Sequence, residues 1–266
     1  MRVMGMIDGK VAIVTGSGRG IGAASARKLG AEGALVVVSD IDPAPAEETV
    51  AAIRNAGGSA IAVVGDVTDP AFPSHLIKAT LDSFGDLDII VNSAGYAWDS
   101  VIQSMTDKQW YAMLDVHTTA PFRILREAFV SFIRDAAKHE HATNGVANPR
   151  KVVNITSVSA LYGIPGQVNY SAGKAAIIGM TKTLSREWGR YNITVNAVAP
   201  TFISTPGTDA ALAAPAFRAD VLERIAGLHR IGAPVDVVGA VVFLASPAAS
   251  LITGHTILID GGWTAR

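Results

Sequence analysis

Residues 15–22 read TGSGRGIG. The stretch closes an apolar run, KVAIVTG, and leads into Ala23 to Glu32, a segment with helical spacing. A glycine pattern alone says little, but strand before and helix after is the context in which it binds phosphates. Gly16 permits the tight turn, and Gly20 and Gly22 let backbone approach a diphosphate and pack the helix on its sheet. The helix start supplies free N–H groups and a positive dipole end. Ser17, Arg19 and Ile21 lie in the same turn. Asp40 closes the next apolar run, 18 residues after Gly22, followed by Ile41. A carboxylate at about that distance binds the adenosine ribose hydroxyls and repels a 2′-phosphate. That favours NAD over NADP. Arg19 is a counter-signal, as a cation able to accept a 2′-phosphate, and is otherwise a solvated loop residue.

Outward from this turn, short valine- and isoleucine-rich runs recur: ALVVVSD, AIAVVGDV, LDIIVNSAG, KVVNITS, ITVNAVAP and HTILIDGG. Apolar runs that do not alternate suit strands buried on both faces. Helical segments such as Pro43 to Asn55 separate them, which implies right-handed βαβ units. The expected fold is α/β: one doubly wound, seven-stranded parallel sheet with helices on both faces. No linker or composition break appears, so 1–266 reads as one dinucleotide-binding domain. Most runs end in small or polar residues, at the sheet edge where open α/β folds bind ligands. Residues 203–234, rich in alanine and proline, are expected to form one or two short helices over that edge. They are a substrate lid or a plain surface excursion.

Composition narrows the function. Net charge is −1, so no basic field points to nucleic acid or an anionic membrane. Absence of cysteine excludes disulfides, thiol catalysis and cysteine metal sites. No apolar run approaches the ~20 residues of a membrane helix; the expected location is cytoplasmic. The charged fraction of 17% is below the ~25% typical of soluble domains, which hints at surface buried in an oligomer. No metal is expected: HEH at 139–141 is read as part of a polar loop with no third ligand.

NYSAGK, residues 169–174, sets Tyr170 four residues before Lys174. In a helix the two share a face. A phenol titrates near ~10, and a neighbouring cation lowers that value. The pair is either an acid/base device or decoration of a helix surface.

Several motifs together resemble the short-chain dehydrogenase/reductase family over nearly the whole chain: TGSGRGIG, GDV at 65–67, NSAG at 92–95, Ser157, YSAGK at 170–174, VNAVAP at 195–200 and IDGG at 259–262. RIGAPVDVVGAVVFLASPAASLITG is similar to the 3-oxoacyl-carrier-protein reductase branch. The resemblance implies catalysis by Ser157, Tyr170 and Lys174. It implies cofactor contacts from the glycine turn and Asp40, from Asp66 and Val67, from Asn92, Ala94 and Gly95, from Tyr170 and Lys174, and from Pro200 and Ile203. His117, a further catalytic candidate, stands where the family has an asparagine that keeps a helix kinked and a proton relay in place; it is expected either to titrate within that relay, near the ~6.5 of a free imidazole, or to serve it through its backbone carbonyl alone. Thr201 replaces the family's glycine after Pro200. The stretch 137–150 before the fifth strand is longer than usual.

The implied function is an NAD(H)-dependent oxidoreductase interconverting a secondary alcohol and a ketone. Its substrate would be a 3-oxoacyl or 3-hydroxyacyl thioester, a small polyol or sugar, or an apolar alcohol. The alternative is a nucleotide-binding sensor or structural subunit with little turnover. A homotetramer is implied as well, with the helices near 107–138 and 168–188 and the C-terminal end in its interfaces. Trp263 is then an interface residue, or else an exposed tail aromatic.

Overall fold

In the computed structural model, residues 5–265 are described. Each of the seven apolar runs forms a strand: β1 (Val11–Thr15), β2 (Leu35–Asp40), β3 (Ser59–Val64), β4 (Ile89–Asn92), β5 (Arg150–Ile155), β6 (Ile193–Pro200) and β7 (Thr256–Ile259). The order is β3-β2-β1-β4-β5-β6-β7, with every pairing parallel. β5 and β6 are buried along their full length, while the edge strands β3 and β7 are only partly covered. This is why the central runs carry no polar alternation.

Successive side chains feed two cores. Ala12, Val14, Val36, Val38, Ile89 and Val91 face α1 (Gly20–Ala31), α2 (Pro43–Asn55) and α11 (Pro234–Ala245). Ile13, Val37, Ile90 and Val152 face the opposite layer, built from α3 (Phe72–Phe84), the long helix after β4 and, beyond the single turn α7 (Ser159–Tyr162), α8 (Val168–Trp188). The winding direction reverses between β1 and β4, and the crevice at such a reversal is where this architecture takes ligands.

The long helix runs from Asp107 to Asn144 as α4 (Asp107–Leu114), α5 (Ala120–Ala128) and α6 (Arg134–Asn144), joined by two π-turns, Asp115–Thr119 and Phe129–Ile133. Thr106 opens it with a reciprocal cap: its hydroxyl accepts from the Gln109 amide, and the Gln109 side chain accepts from the Thr106 amide. Pro121 accounts for the first π-turn. It has no N–H for the His117 carbonyl, and the ladder re-registers so that the Ala120 amide donates to the Asp115 carbonyl.

The structure corrects the reading of 137–150 as a loop. The helix continues through His139–His141 and ends at Gly145, whose φ of 78° suits a left-handed cap. Its anchor is Glu140, which accepts two hydrogen bonds from the buried Arg150 guanidinium, at 2.8 and 2.9 Å. Glu140 is thereby committed, and among the described residues no group of three or more acidic or histidine side chains could hold a metal.

Residues 203–234 carry two short helices, α9 (Asp209–Leu212) and α10 (Pro215–Arg224). The two ends of this excursion are pinned together, with the Ser204 amide on the Gly232 carbonyl and the Gly232 amide on the Phe202 carbonyl. Trp263 is not an exposed tail aromatic. It is 8% exposed, packed with Val221, Ile225, Phe202 and Phe217 beneath the excursion. Among the described residues no helix is long and apolar enough to cross a membrane.

Candidate active site

A cleft of about 680 Å³ runs along the carboxyl edge of the sheet, from Asp40 and Asp66 at one end to Ser157, Tyr170 and Lys174 at the other. The glycine turn forms its floor. A Cβ on Gly16 would lie 2.5 Å from the Ala94 Cα, and one on Gly22 would lie 2.0 Å from the Gly16 carbonyl oxygen. Neither position tolerates a side chain. Helix α1 begins with no side-chain cap and no acid in its first turn, so its first amides are left for an anion.

Most of the expected cofactor residues line this cleft: Gly16, Arg19, Gly20, Ile21, Gly22, Asp40, Ile41, Asp66, Val67, Ala94, Gly95, Pro200 and Ile203. Asp40 is rigidly held. One carboxylate oxygen accepts from the Gly18 amide at 2.7 Å, the other from the Asp42 amide at 3.1 Å. Arg19 is exposed and ion-paired with Asp42. Asp66 accepts from the amide and hydroxyl of Thr68. The donor set and the glycine floor fit a dinucleotide.

Two expected contacts sit elsewhere. The Ser17 hydroxyl is buried and donates to the Val14 carbonyl at 2.6 Å, tying the turn down from below. Asn92 points away from the cleft, into a chain in which its amide donates to Asn154 and that of Asn154 to Thr181. These polar residues order the strand ends rather than line the cavity. The structure also adds lining residues that the sequence reading passed over, among them Tyr96, Thr156, Ile164 and Gln167. Gln167 carried one usable signal, since it stands three residues before Tyr170 and so shares its helix face.

Lys174 is buried, and its ammonium donates to the Ile155 carbonyl at 2.8 Å. It lies 5.7 Å from the centre of the Tyr170 ring. The Ser159 amide donates to the Ser157 oxygen, leaving the Ser157 hydroxyl free to donate onward. The expectation that lysine simply lowers the tyrosine does not hold in the protein alone. Burial pushes the Tyr170 phenol up to about 12, opposed by its hydrogen bond with Ser157 and reinforced by the Asp99 charge. Burial also brings Lys174 down to about 7. Both groups are thus held toward their neutral forms, and each charges more readily when a counter-charge arrives.

His117 reaches the cleft from the first π-turn and meets the Tyr170 ring edge-on, with centroids 4.9 Å apart. Its Nε2 is 2.8 Å from the Tyr96 carbonyl. A carbonyl only accepts, so Nε2 carries the proton and Nδ1 the lone pair. Burial, and next the charge of Lys174, hold its pKa well below the usual imidazole range, against the pull of the Tyr96 carbonyl. The expectation of a histidine titrating near neutral pH is therefore corrected.

A family model described as enoyl-(acyl carrier protein) reductase matches residues 16–264. The chain is 40% identical over 262 residues to a 3-oxoacyl-(acyl-carrier-protein) reductase of Synechocystis sp., covering 97% of this chain and 98% of that one. It is 39% identical over 259 residues to 3beta-hydroxysteroid dehydrogenase 1 of Eggerthella lenta, covering 97% and 95%. The crystal structure of a gluconate 5-dehydrogenase from Burkholderia cenocepacia, in complex with NADP and tartrate, superposes with a TM-score of 0.86 at 31% identity, covering 97% and 96%.

Proposed function

The chain belongs to the short-chain dehydrogenase/reductase family and is an oxidoreductase acting on CH–OH and C=O groups, and from that premise we propose that it is an NAD-dependent enzyme whose catalytic residues are Ser157, Tyr170 and Lys174. The observation that carries this reading is the convergence of these three side chains in one cleft with the glycine turn. A nicotinamide dinucleotide held along the glycine floor supplies the hydride acceptor or donor. The Ser157 hydroxyl donates to the substrate oxygen and holds it against Tyr170. In oxidation Tyr170 takes the carbinol proton, and in reduction it returns it. Lys174, when charged, favours the phenolate that this proton transfer needs.

NAD is favoured over NADP because Asp40 is fixed by two backbone amides at the cofactor end, and Arg19 is already paired with Asp42. The NADP in the Burkholderia structure speaks for the other choice, and titration decides between them. The expected result is tighter binding of NADH than NADPH, with the gap narrowed in Asp40→Ala. Tyr170→Phe is expected to keep cofactor affinity and lose turnover by about 100-fold or more. A wild type that binds NADH but oxidises no alcohol in a broad panel would favour a nucleotide-binding sensor instead.

On substrate, six apolar residues in or next to the lid region divide. Phe202 and Ile203 line the cleft, whereas Leu212, Phe217, Val221 and Leu222 do not. Lid burial therefore accounts for most of them, and the case for an apolar alcohol weakens. Nor is an acyl-carrier partner favoured, because Arg224 pairs with Asp220 and Arg230 with Asp236. A homotetramer is the proposed assembly, supported by exposed apolar side chains such as Tyr111, Phe122 and Val130 on the long helix and Leu251 before β7.

A further inference from the structure

Gln167 precedes α8 and stands one helical turn before Tyr170. It is 9% exposed and lines the cleft. Its carboxamide nitrogen lies 2.9 Å from an Asp99 carboxylate oxygen. A carboxylate only accepts, so the contacting atom is the NH₂ group and the orientation of the amide is fixed. The carboxamide oxygen then points the other way, and it is buried without a hydrogen-bond partner. A desolvated acceptor left unpaired is costly and discriminates strongly for a ligand that supplies the missing donor.

The surroundings hold Gln167 in place. The Gln167 amide donates to the Ile164 carbonyl, and the Ser171 amide to the Gln167 carbonyl. The facing loop is docked as well, with the Ser100 amide on the Gly166 carbonyl and the Asn169 side chain on the Trp98 carbonyl. Gln167 itself lines the cleft, and that is the side from which a donor to its carboxamide oxygen is sought.

Charge narrows the donor's chemistry. Among the described residues, the charged side chains lining the cleft are Arg19, Asp40 and Asp66 at the glycine-turn end, and Lys174. The Lys174 ammonium is engaged with the Ile155 carbonyl. Among the described cleft-lining residues no cation is left at the substrate end to neutralise a carboxylate, while Asp99 stands beside Gln167.

We propose that the substrate is an uncharged alcohol bearing a second hydroxyl next to the reacting carbinol, a vicinal diol or polyol, and that Gln167 selects it by accepting from that second hydroxyl. This rests on the oxidoreductase reading above and specifies its substrate.

The test is steady-state oxidation of three compounds on one ring: cyclohexanol, cyclohexane vicinal diol and the vicinal hydroxy acid, with wild type and Gln167→Met. In the wild type kcat/KM for the diol is expected to exceed that for the other two by about tenfold or more. In Gln167→Met the diol-to-cyclohexanol ratio is expected to fall to near one, with NADH affinity and melting temperature reporting that the variant is folded. A wild type that turns over the compounds without preferring the diol overturns the subsite alone. So does a folded variant that keeps the wild-type ratio. A preference for the hydroxy acid overturns the uncharged-substrate claim. No turnover of any of the three, with cofactor bound, overturns this proposal, and the oxidoreductase reading falls with it only when the broad alcohol panel fails as well.

Discussion

At the residue scale, His117 shows what spacing conveys and what it leaves out. Its position before Pro121 was legible from the sequence, as was its departure from the family pattern. Its protonation was not, because that depends on the Tyr96 carbonyl and on burial contributed by chain far away in sequence. With the pKa held below the ordinary range, the imidazole stays neutral near neutral pH. The pH profiles of turnover for wild type and His117→Asn are therefore expected to share their shape from about pH 6 upward. An acidic limb near pH 6.5 that vanishes in the variant would restore the titrating relay. The ring also fills space that Gly95 leaves open, since a Cβ there would lie 2.3 Å from the His117 Cε1. Gly95→Ala is expected to impair folding or cofactor binding in the wild type and to do so less in the His117→Asn background. Melting and NADH titration across the double-mutant cycle should show a coupling of about 1 kcal/mol or more, and strict additivity would separate the two positions.

At the element scale, the seven strands and the glycine turn were legible because buried parallel strands and a phosphate-binding turn leave compositional marks. The last turns of the long helix were not. Residues 134–144 are largely polar, and a contact beyond the helix, Glu140 with Arg150, anchors them, where Arg150 is 1% exposed. Removing Glu140 leaves a buried guanidinium with the Leu87 carbonyl and a longer contact to Asp86 at 3.3 Å. Glu140→Ala is expected to cost about 3 kcal/mol in denaturant unfolding with cofactor affinity unchanged. A loss below about 0.5 kcal/mol would show the pair to behave like a surface ion pair. The excursion at 203–234 was anticipated in position and in its short helices. Its packing over Trp263 was not, since a tryptophan two residues from the last described position reads as a tail.

At the scale of the whole molecule, winding order and the ligand-bearing edge followed from strand and helix alternation, whereas assembly does not follow from one chain. The exposed Tyr111, Phe122 and Val130 lie along one long helix, and Leu251 is 97% exposed. Sedimentation at micromolar concentration is expected to show a tetramer, and a stable monomer would leave these side chains as ordinary surface.

The sheet order has a further consequence for how the protein is made. β1 carries the glycine turn and emerges first, yet its inner neighbour β4 begins at Ile89, and α1 packs on α11, which begins at Pro234. A nascent chain thus exposes the apolar flank of its nucleotide-binding segment at the ribosome until α11 has been synthesised. The segment read first in the sequence is among the last to be completed, and a long interval of exposed apolar surface is the circumstance in which chaperones act.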